Sequence, residues 1–291
     1  MRTTYVSTQL VDNQKLYKIS HPLFKATLSE FGGQLLSYQD QTGNDWLWLS
    51  KQAVLDGSKP IRGGIPICWP WFGPALSQEQ PQHGYARLVK WNIVSIEEDD
   101  SGVRITMQPN FNIESLSSLK DEQFPNSIKG LSLFLELDLG KSLKIHLHTE
   151  NTSDSTVTFT QAIHSYFKVE DIRQSTITGL SNRQYLDQLN AQTLVQDNEL
   201  KITQWTDKIY NSHNDLITVM NNKTSKNNLK IVGSGHDSVV IWNPWKEGAK
   251  KMSDFDDDGF IEMVCVEMAN TKEVKLKPRE SHTLTQVIDR N

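Results

Sequence analysis

Period-two alternation of apolar and polar residues, scarce helical stripes and closely spaced turn residues predict an all-β fold for this chain, a sandwich of antiparallel strands. The Arg62–Pro74 segment carries so many Gly and Pro residues that it cannot be a helix. Ser115–Lys120 is at most a turn or a short helix. In Leu131–Leu139 every odd position is Leu, which a strand places on one face. After Gly140 the pattern resumes with Leu143, Ile145 and Leu147, and Lys144, His146 and His148 stand opposite. Thr156–Thr160, Ser238–Trp242, Met263–Glu267 and Thr283–Ile288 also read as strands, rich in β-branched or aromatic residues and bounded by Asn, Asp, Gly or Pro. Asn221–Asn228 reads as a polar loop rather than a linker, and no internal repeat is visible. One domain spanning residues 1–291 is expected.

Composition narrows the function. Hydrophobic residues make up 37% of the chain and charged residues 22%, as in an ordinary globular protein. A net charge of −5 argues against nucleic acid or an anionic membrane as the main partner. Any anionic substrate must then be held by a local basic cluster. Cys68 and Cys265 form no disulfide framework and are expected as buried, reduced thiols. The N-terminal segment lacks a signal-peptide core and no 18-residue apolar run occurs, so the cytoplasm is the expected location.

The most informative stretch runs from Arg62 to Arg87. Within 26 residues it holds two arginines, His83, Trp69, Trp71 and Phe72. Aromatic faces beside polar donors suit a sugar, and a guanidinium fork suits a phosphate or carboxylate. A sugar phosphate meets both demands. The plain alternative is that the aromatics are core residues and the arginines unrelated surface charges.

Two metal-like patterns fail on spacing. Gly140-x5-His146-x-His148 opens like a cupin metal motif, but Thr152 and Ser153 stand where a carboxylate is needed, so a polar outer strand face is expected. Asp254-x-Asp256-x-Asp258-Gly259 opens like an EF-hand loop, but its twelfth position is Cys265, so an acidic surface turn is expected. Glu267 differs in kind, because it interrupts the hydrophobic strand Met263–Asn270 and a buried carboxylate must be paired or employed. His164 closes an apolar segment, and Asp207 and Trp242-Asn-Pro-Trp245 add groups of the sort that line sugar sites.

Arg62-Gly-Gly-Ile-Pro, Trp69-Pro-Trp-Phe-Gly-Pro74, His83-Gly-Tyr-Ala-Arg87, His164-Ser-Tyr-Phe167, His236-Asp237, Trp242-Asn-Pro-Trp245 and Cys265-Val-Glu-Met-Ala-Asn270 together resemble the hexose-6-phosphate mutarotases. These are the glucose-6-phosphate 1-epimerase branch of the aldose 1-epimerase family, and the resemblance runs from about Phe31 to the C-terminus. It implies a galactose-mutarotase-like β-supersandwich. It also implies that His164 is the general acid and Glu267 the general base. His83 and Asp207 would contact sugar oxygens, and Arg62 and Arg87 would meet the phosphate. None of these positions departs from the family pattern. The expected partner is a small-molecule sugar phosphate, and the expected state a monomer or weak homo-oligomer.

The chemistry asks for no cofactor, metal or nucleophile. One acid and one base open the hemiacetal, C1–C2 rotates, and the two exchange roles on reclosure. With ordinary pKa values, the imidazole can donate and the carboxylate accept at neutral pH. Two other readings use the same residues: a non-catalytic carbohydrate-binding sandwich, or a glycoside hydrolase with two carboxylates about 5–10 Å apart.

Overall fold

The computed structural model describes residues 4–75, 77, 80–111, 130–211, 216–221 and 228–290. The possible helix at 115–120 and most of the 221–228 loop lie outside the described residues. Nearly all regular structure is β.

The chain begins with an antiparallel meander of β1 (Val6–Val11), β2 (Gln14–His21), β3 (Phe24–Ser29) and β4 (Gln34–Asp40), which forms a four-stranded sheet. Next come β5 (Ile67–Cys68), β6 (Trp91–Asp99), β7 (Gly102–Pro109), β8 (Leu131–Leu139) and β9 (Leu143–Asn151). They are followed by β10 (Val157–Ile163), β11 (Tyr166–Lys168), β12 (Ser175–Thr178), β13 (Gln184–Asp187) and β14 (Gln192–Val195). The last are β15 (Thr206–Asn211), β16 (Ile217–Asn221), β17 (Leu229–Ser234), β18 (Ser238–Asn243), β19 (Met263–Leu276) and β20 (Ser281–Arg290). One large sheet runs β14-β13-β15-β18-β19-β10-β5, with β11 also on β19; the other runs β12-β16-β17-β20-β9-β8-β7-β6. Each named strand reading falls within one of these strands, except that Thr156 stands one residue before β10. The fold is therefore the predicted all-β class.

Alternation builds the core directly. Leu133, Leu135, Leu137 and Leu139 are buried with Leu143, Ile145 and Leu147 against Val264, Val266 and Met268 of the facing sheet. Ser132, Phe134, Glu136 and Asp138 take the outer side of β8 and are only partly buried. β19 departs from simple alternation, because Met263 through Asn270 are all buried. Its inner face packs in the main core, while Met263 and Cys265 pack outward against Trp48, Tyr166, Phe255 and Phe260. Loops from 45–72 and 243–262 thus roof the outer face of this sheet, and a roofed sheet face is what a buried Glu267 requires.

Two glycines set that roof. Gly64, at φ +61°, lies so close to β4 that a Cβ would collide with the Leu35 carbonyl oxygen. Gly84, at φ +72°, would likewise drive a Cβ into the Trp69 carbonyl. These close approaches hold the Arg62 and Arg87 segments against the sheet.

Candidate functional site

Register brings the residues together. Across the sheet Asp207 pairs with Trp242, Trp242 with Cys265, and Cys265 with Tyr166. Directly opposed residues share a face, and Glu267 lies two positions from Cys265 on that same face. Asp207, Trp242, Cys265, Glu267 and Tyr166 therefore all project under the roof. His164 occupies the short break between β10 and β11, where its N–H donates to the Pro66 carbonyl at 3.0 Å. Small buried residues, Cys68, Ala162, Val240 and Ala269, pack together beside Phe72.

His164 Nε2 lies 3.4 Å from Glu267 Oε1. The imidazole stacks on Tyr166 at a 5.0 Å centroid distance and 10° between planes, with Trp242 and His83 edge-on. Glu267 is 1% exposed and His164 9%. Glu267 Oε2 and His164 Nδ1 have no hydrogen-bond partner. Burial pushes the Glu267 carboxyl well above its ordinary range, and the charge of Asp207 adds to the rise. Burial pushes His164 well below its ordinary value, with His83, Arg87 and Arg62 adding repulsion. The ordinary titration expected from sequence is thus overturned: this environment resists a net charge on either partner.

His83 sits on a left-handed backbone at φ 60°. Its Nδ1 accepts from the Gly73 N–H at 3.1 Å, and its own N–H donates to the Gly73 carbonyl at 2.9 Å. That bond assigns the ring proton to Nε2 and makes Nε2–H a donor. Burial, then Arg87 and Arg62, depress the imidazole pKa to about 3. Its ring packs against Phe72 and His164.

The two arginines are held differently. Arg62 Nε and Nη2 each lie 3.3 Å from Asp254 Oδ2, and Nη1 donates to the Tyr166 hydroxyl at 3.1 Å. Arg87, within the 3-10 turn Ala86–Leu88, donates through Nη2 to the Gln82 carbonyl at 2.8 Å. Its Nε is buried without a partner, and among the described residues no carboxylate stands within ion-pair distance. Burial lowers its affinity for the proton. Asp207 completes the group, with a pKa raised to about 6 by burial and then by Asp187.

All six residues singled out in the sequence converge here, but two surrounding expectations need correction and one residue was missed. Trp69 and Trp71 are core residues, 0% and 4% exposed, so Phe72 and Trp242 are the aromatics beside the imidazoles. The 254–258 run is more than a surface turn: Asp254 is buried against Arg62, while Asp256 accepts from the Lys51 N–H. Tyr166 escaped notice within His164-Ser-Tyr-Phe167, although its two-residue offset from His164 was available as a signal. His146 and His148 lie on the other sheet, where Nδ1 of each meets a Thr hydroxyl, of Thr285 and Thr283.

The fold and this cluster fit an isomerase of the mutarotase type. The aldose 1-epimerase family model matches residues 15–289, and the chain belongs to that family. A Salmonella typhimurium protein named "Putative glucose-6-phosphate 1-epimerase" is 33% identical over 267 residues, 91% of this chain and 86% of that protein. An Escherichia coli protein of the same name is 32% identical over 279 residues, 94% and 90% of the two chains. The crystal structure of a "putative mutarotase" from Salmonella typhimurium superposes with a TM-score of 0.89 at 30% identity, covering 99% of this chain and 94% of the other. A galactose mutarotase-like protein from Clostridium acetobutylicum shares the fold, with a TM-score of 0.74 at 13% identity over the full length of both. Family membership sets aside the binding-module and glycoside hydrolase readings. Among the described residues no helix is long and apolar enough to cross a membrane.

Proposed function

We propose that this protein interconverts the α and β anomers of hexose 6-phosphates, glucose 6-phosphate foremost, with His164 as acid and Glu267 as base. The observation that carries the reading is the 3.4 Å approach of Nε2 to Oε1 inside a site that penalises charge on both. Ring opening proceeds from the imidazolium–carboxylate form of the pair, the form that burial disfavours. His164 gives its proton to the ring oxygen while Glu267 takes the anomeric hydroxyl proton. The pair ends as imidazole and carboxylic acid, with the same number of protons as before.

Burial favours that second state, so it makes His164 a stronger acid and Glu267 a stronger base than either would be in water. After rotation about C1–C2 the transfers run backwards and close the ring on the other carbonyl face. His83 Nε2–H and Asp207 supply a donor and an acceptor for sugar hydroxyls. Arg87, part-buried with its Nε covered and with no carboxylate partner among the described residues, supports the choice of a phosphorylated sugar, because an anion would complete its hydrogen bonds. Arg62, already oriented by Asp254 and Tyr166, would share that anion.

NMR saturation exchange between anomers tests this, with glucose 6-phosphate and free glucose compared at equal enzyme concentration. Enzyme-dependent exchange is expected for the phosphate ester and much less for glucose. Absence of enhancement with any hexose 6-phosphate would sink the substrate assignment.

A further inference from the structure

We propose that His164, Cys265 and Glu267 also form a site for a thiophilic divalent cation of the Zn2+ class, and that its occupancy shuts off turnover. The binding claim rests on geometry alone; the blocking claim rests on the acid–base roles given above. One imidazole nitrogen, one thiol sulfur and one carboxylate oxygen all lie within 4.8 Å of one another. Nitrogen and oxygen ligands at about 2.0–2.1 Å from a tetrahedral zinc stand roughly 3.3–3.4 Å apart. His164 Nε2 and Glu267 Oε1 already have that separation, 3.4 Å. The sulfur needs to close by no more than about 1.3 Å to complete three corners.

A second observation points to a cation. Glu267 Oε2 is buried with no partner, and the residue is 1% exposed. An ion held bidentately by this carboxylate would bond Oε2 as well as Oε1 and so satisfy the orphaned oxygen. The surrounding charge permits it: Arg62 is paired with Asp254, and Asp207 adds a second carboxylate, leaving Arg87 as the opposing cation without a carboxylate partner among the described residues. Thiolate and imidazole ligands select Zn2+ or Cd2+ over Mg2+ or Ca2+. Binding displaces the Cys265 thiol proton to solvent and changes no oxidation state. The bound ion would occupy Nε2 and Oε1, the two atoms that must trade protons. A second cluster, Glu136, Asp138 and His146, has similar ligand types, but the Arg104 Nε already stands 2.6 Å from Asp138 Oδ1.

Cd2+ titration of the full-length protein reads the site through the ultraviolet thiolate-to-cadmium charge-transfer band, alone and with saturating glucose 6-phosphate. Zn2+ inhibition of anomer exchange is measured in parallel, each variant against its own uninhibited rate. One equivalent of band is expected in the native protein, absent in Cys265→Ser and kept in Cys68→Ser and His146→Ala. Substrate should suppress it. Zn2+ should inhibit Cys265→Ser at least about tenfold less potently. Glu267→Gln should bind Cd2+ at least about tenfold more weakly, a second readout should Cys265→Ser fail to fold. No band in the native protein, a band that persists in Cys265→Ser, or unchanged Zn2+ potency in that variant would overturn the proposal. A Cd2+ band in a protein without anomerase activity would uphold the metal site and refute the catalytic reading instead.

Discussion

The outer faces of the two large sheets carry the same kinds of residue and do very different things. On the β8–β9–β20 face, His146 and His148 sit beside Thr285 and Thr283, near Glu136, Asp138 and Arg104. On the β19 face, His164 and Glu267 are buried beneath loops, with Asp207, Arg62 and Arg87 part-buried beside them. Residue type is common to both. What separates them is the roof: polar groups on an open strand face keep water as a partner, whereas those beneath the loops must meet their needs from one another or from a ligand.

The sharpest way to break this comparison is to remove one histidine from each face. His164→Ala or Glu267→Gln should lower catalysed anomer exchange by roughly 10²–10⁴-fold, the usual contribution of positioned proton transfer. His146→Ala should leave the rate within about twofold, because a surface substitution away from the site changes little. Exchange NMR on the three variants checks both halves.

Next in size is the arginine contrast. A hydrogen bond to a charged group contributes about 1.5–3 kcal/mol, so Arg87→Ala should lose roughly tenfold to a hundredfold in kcat/KM. The loss should be confined to phosphorylated sugar, and an equal loss with free glucose would refute the phosphate role. Arg62→Ala removes a group already paired with Asp254 and leaves that carboxylate buried and alone. It should therefore reduce thermal stability as well as rate, whereas Arg87→Ala should leave stability unchanged or raised. Melting curves of the two variants test the distinction.

Smaller effects concern pH. In the fold His83 stays neutral down to about pH 3, whereas an unfolded histidine titrates near 6.5. A depressed imidazole pKa leaves stability intact above about 6.5 and erodes it as pH falls towards 3. His83→Gln should flatten that decline in thermal stability, and an unchanged slope would exclude His83 as its cause. Glu267 has the opposite sign. A raised carboxyl pKa withdraws stability as pH climbs above the ordinary range, so Glu267→Gln should melt higher than the native protein at neutral and alkaline pH and equally below about pH 4.

How far the sequence predicts these features depends on how local their causes are. The alternating leucines of β8 and β9 are visible because burial on one face follows a period of two. The ionisable interruption at Glu267 is visible because its neighbours are so apolar. β1–β4, β6 and β7 carry no such clean signal: β6, for example, interleaves Val94 and Ile96, 56% and 40% exposed, with polar residues on an open edge. The partnership of Arg62 with Asp254 joins residues 192 positions apart, and no local pattern encodes it. The depressed His164 and raised Glu267 pKa values likewise arise from the roof, which exists only once the loops at 45–72 and 243–262 have folded over β19.

The central claim is that His164 and Glu267 work as one proton-transferring unit, and a double-mutant cycle addresses it most directly. Rates of anomer exchange with glucose 6-phosphate would be measured for His164→Ala, Glu267→Gln and the combined variant, each with a native circular-dichroism spectrum. Groups that act as a unit are strongly non-additive. The combined variant should therefore be about as slow as the worse single variant, its rate limited by what binding alone contributes. Losses that multiply, so that the combined effect equals the product of the two single effects, would mean that the groups act independently, contradicting the coupled mechanism.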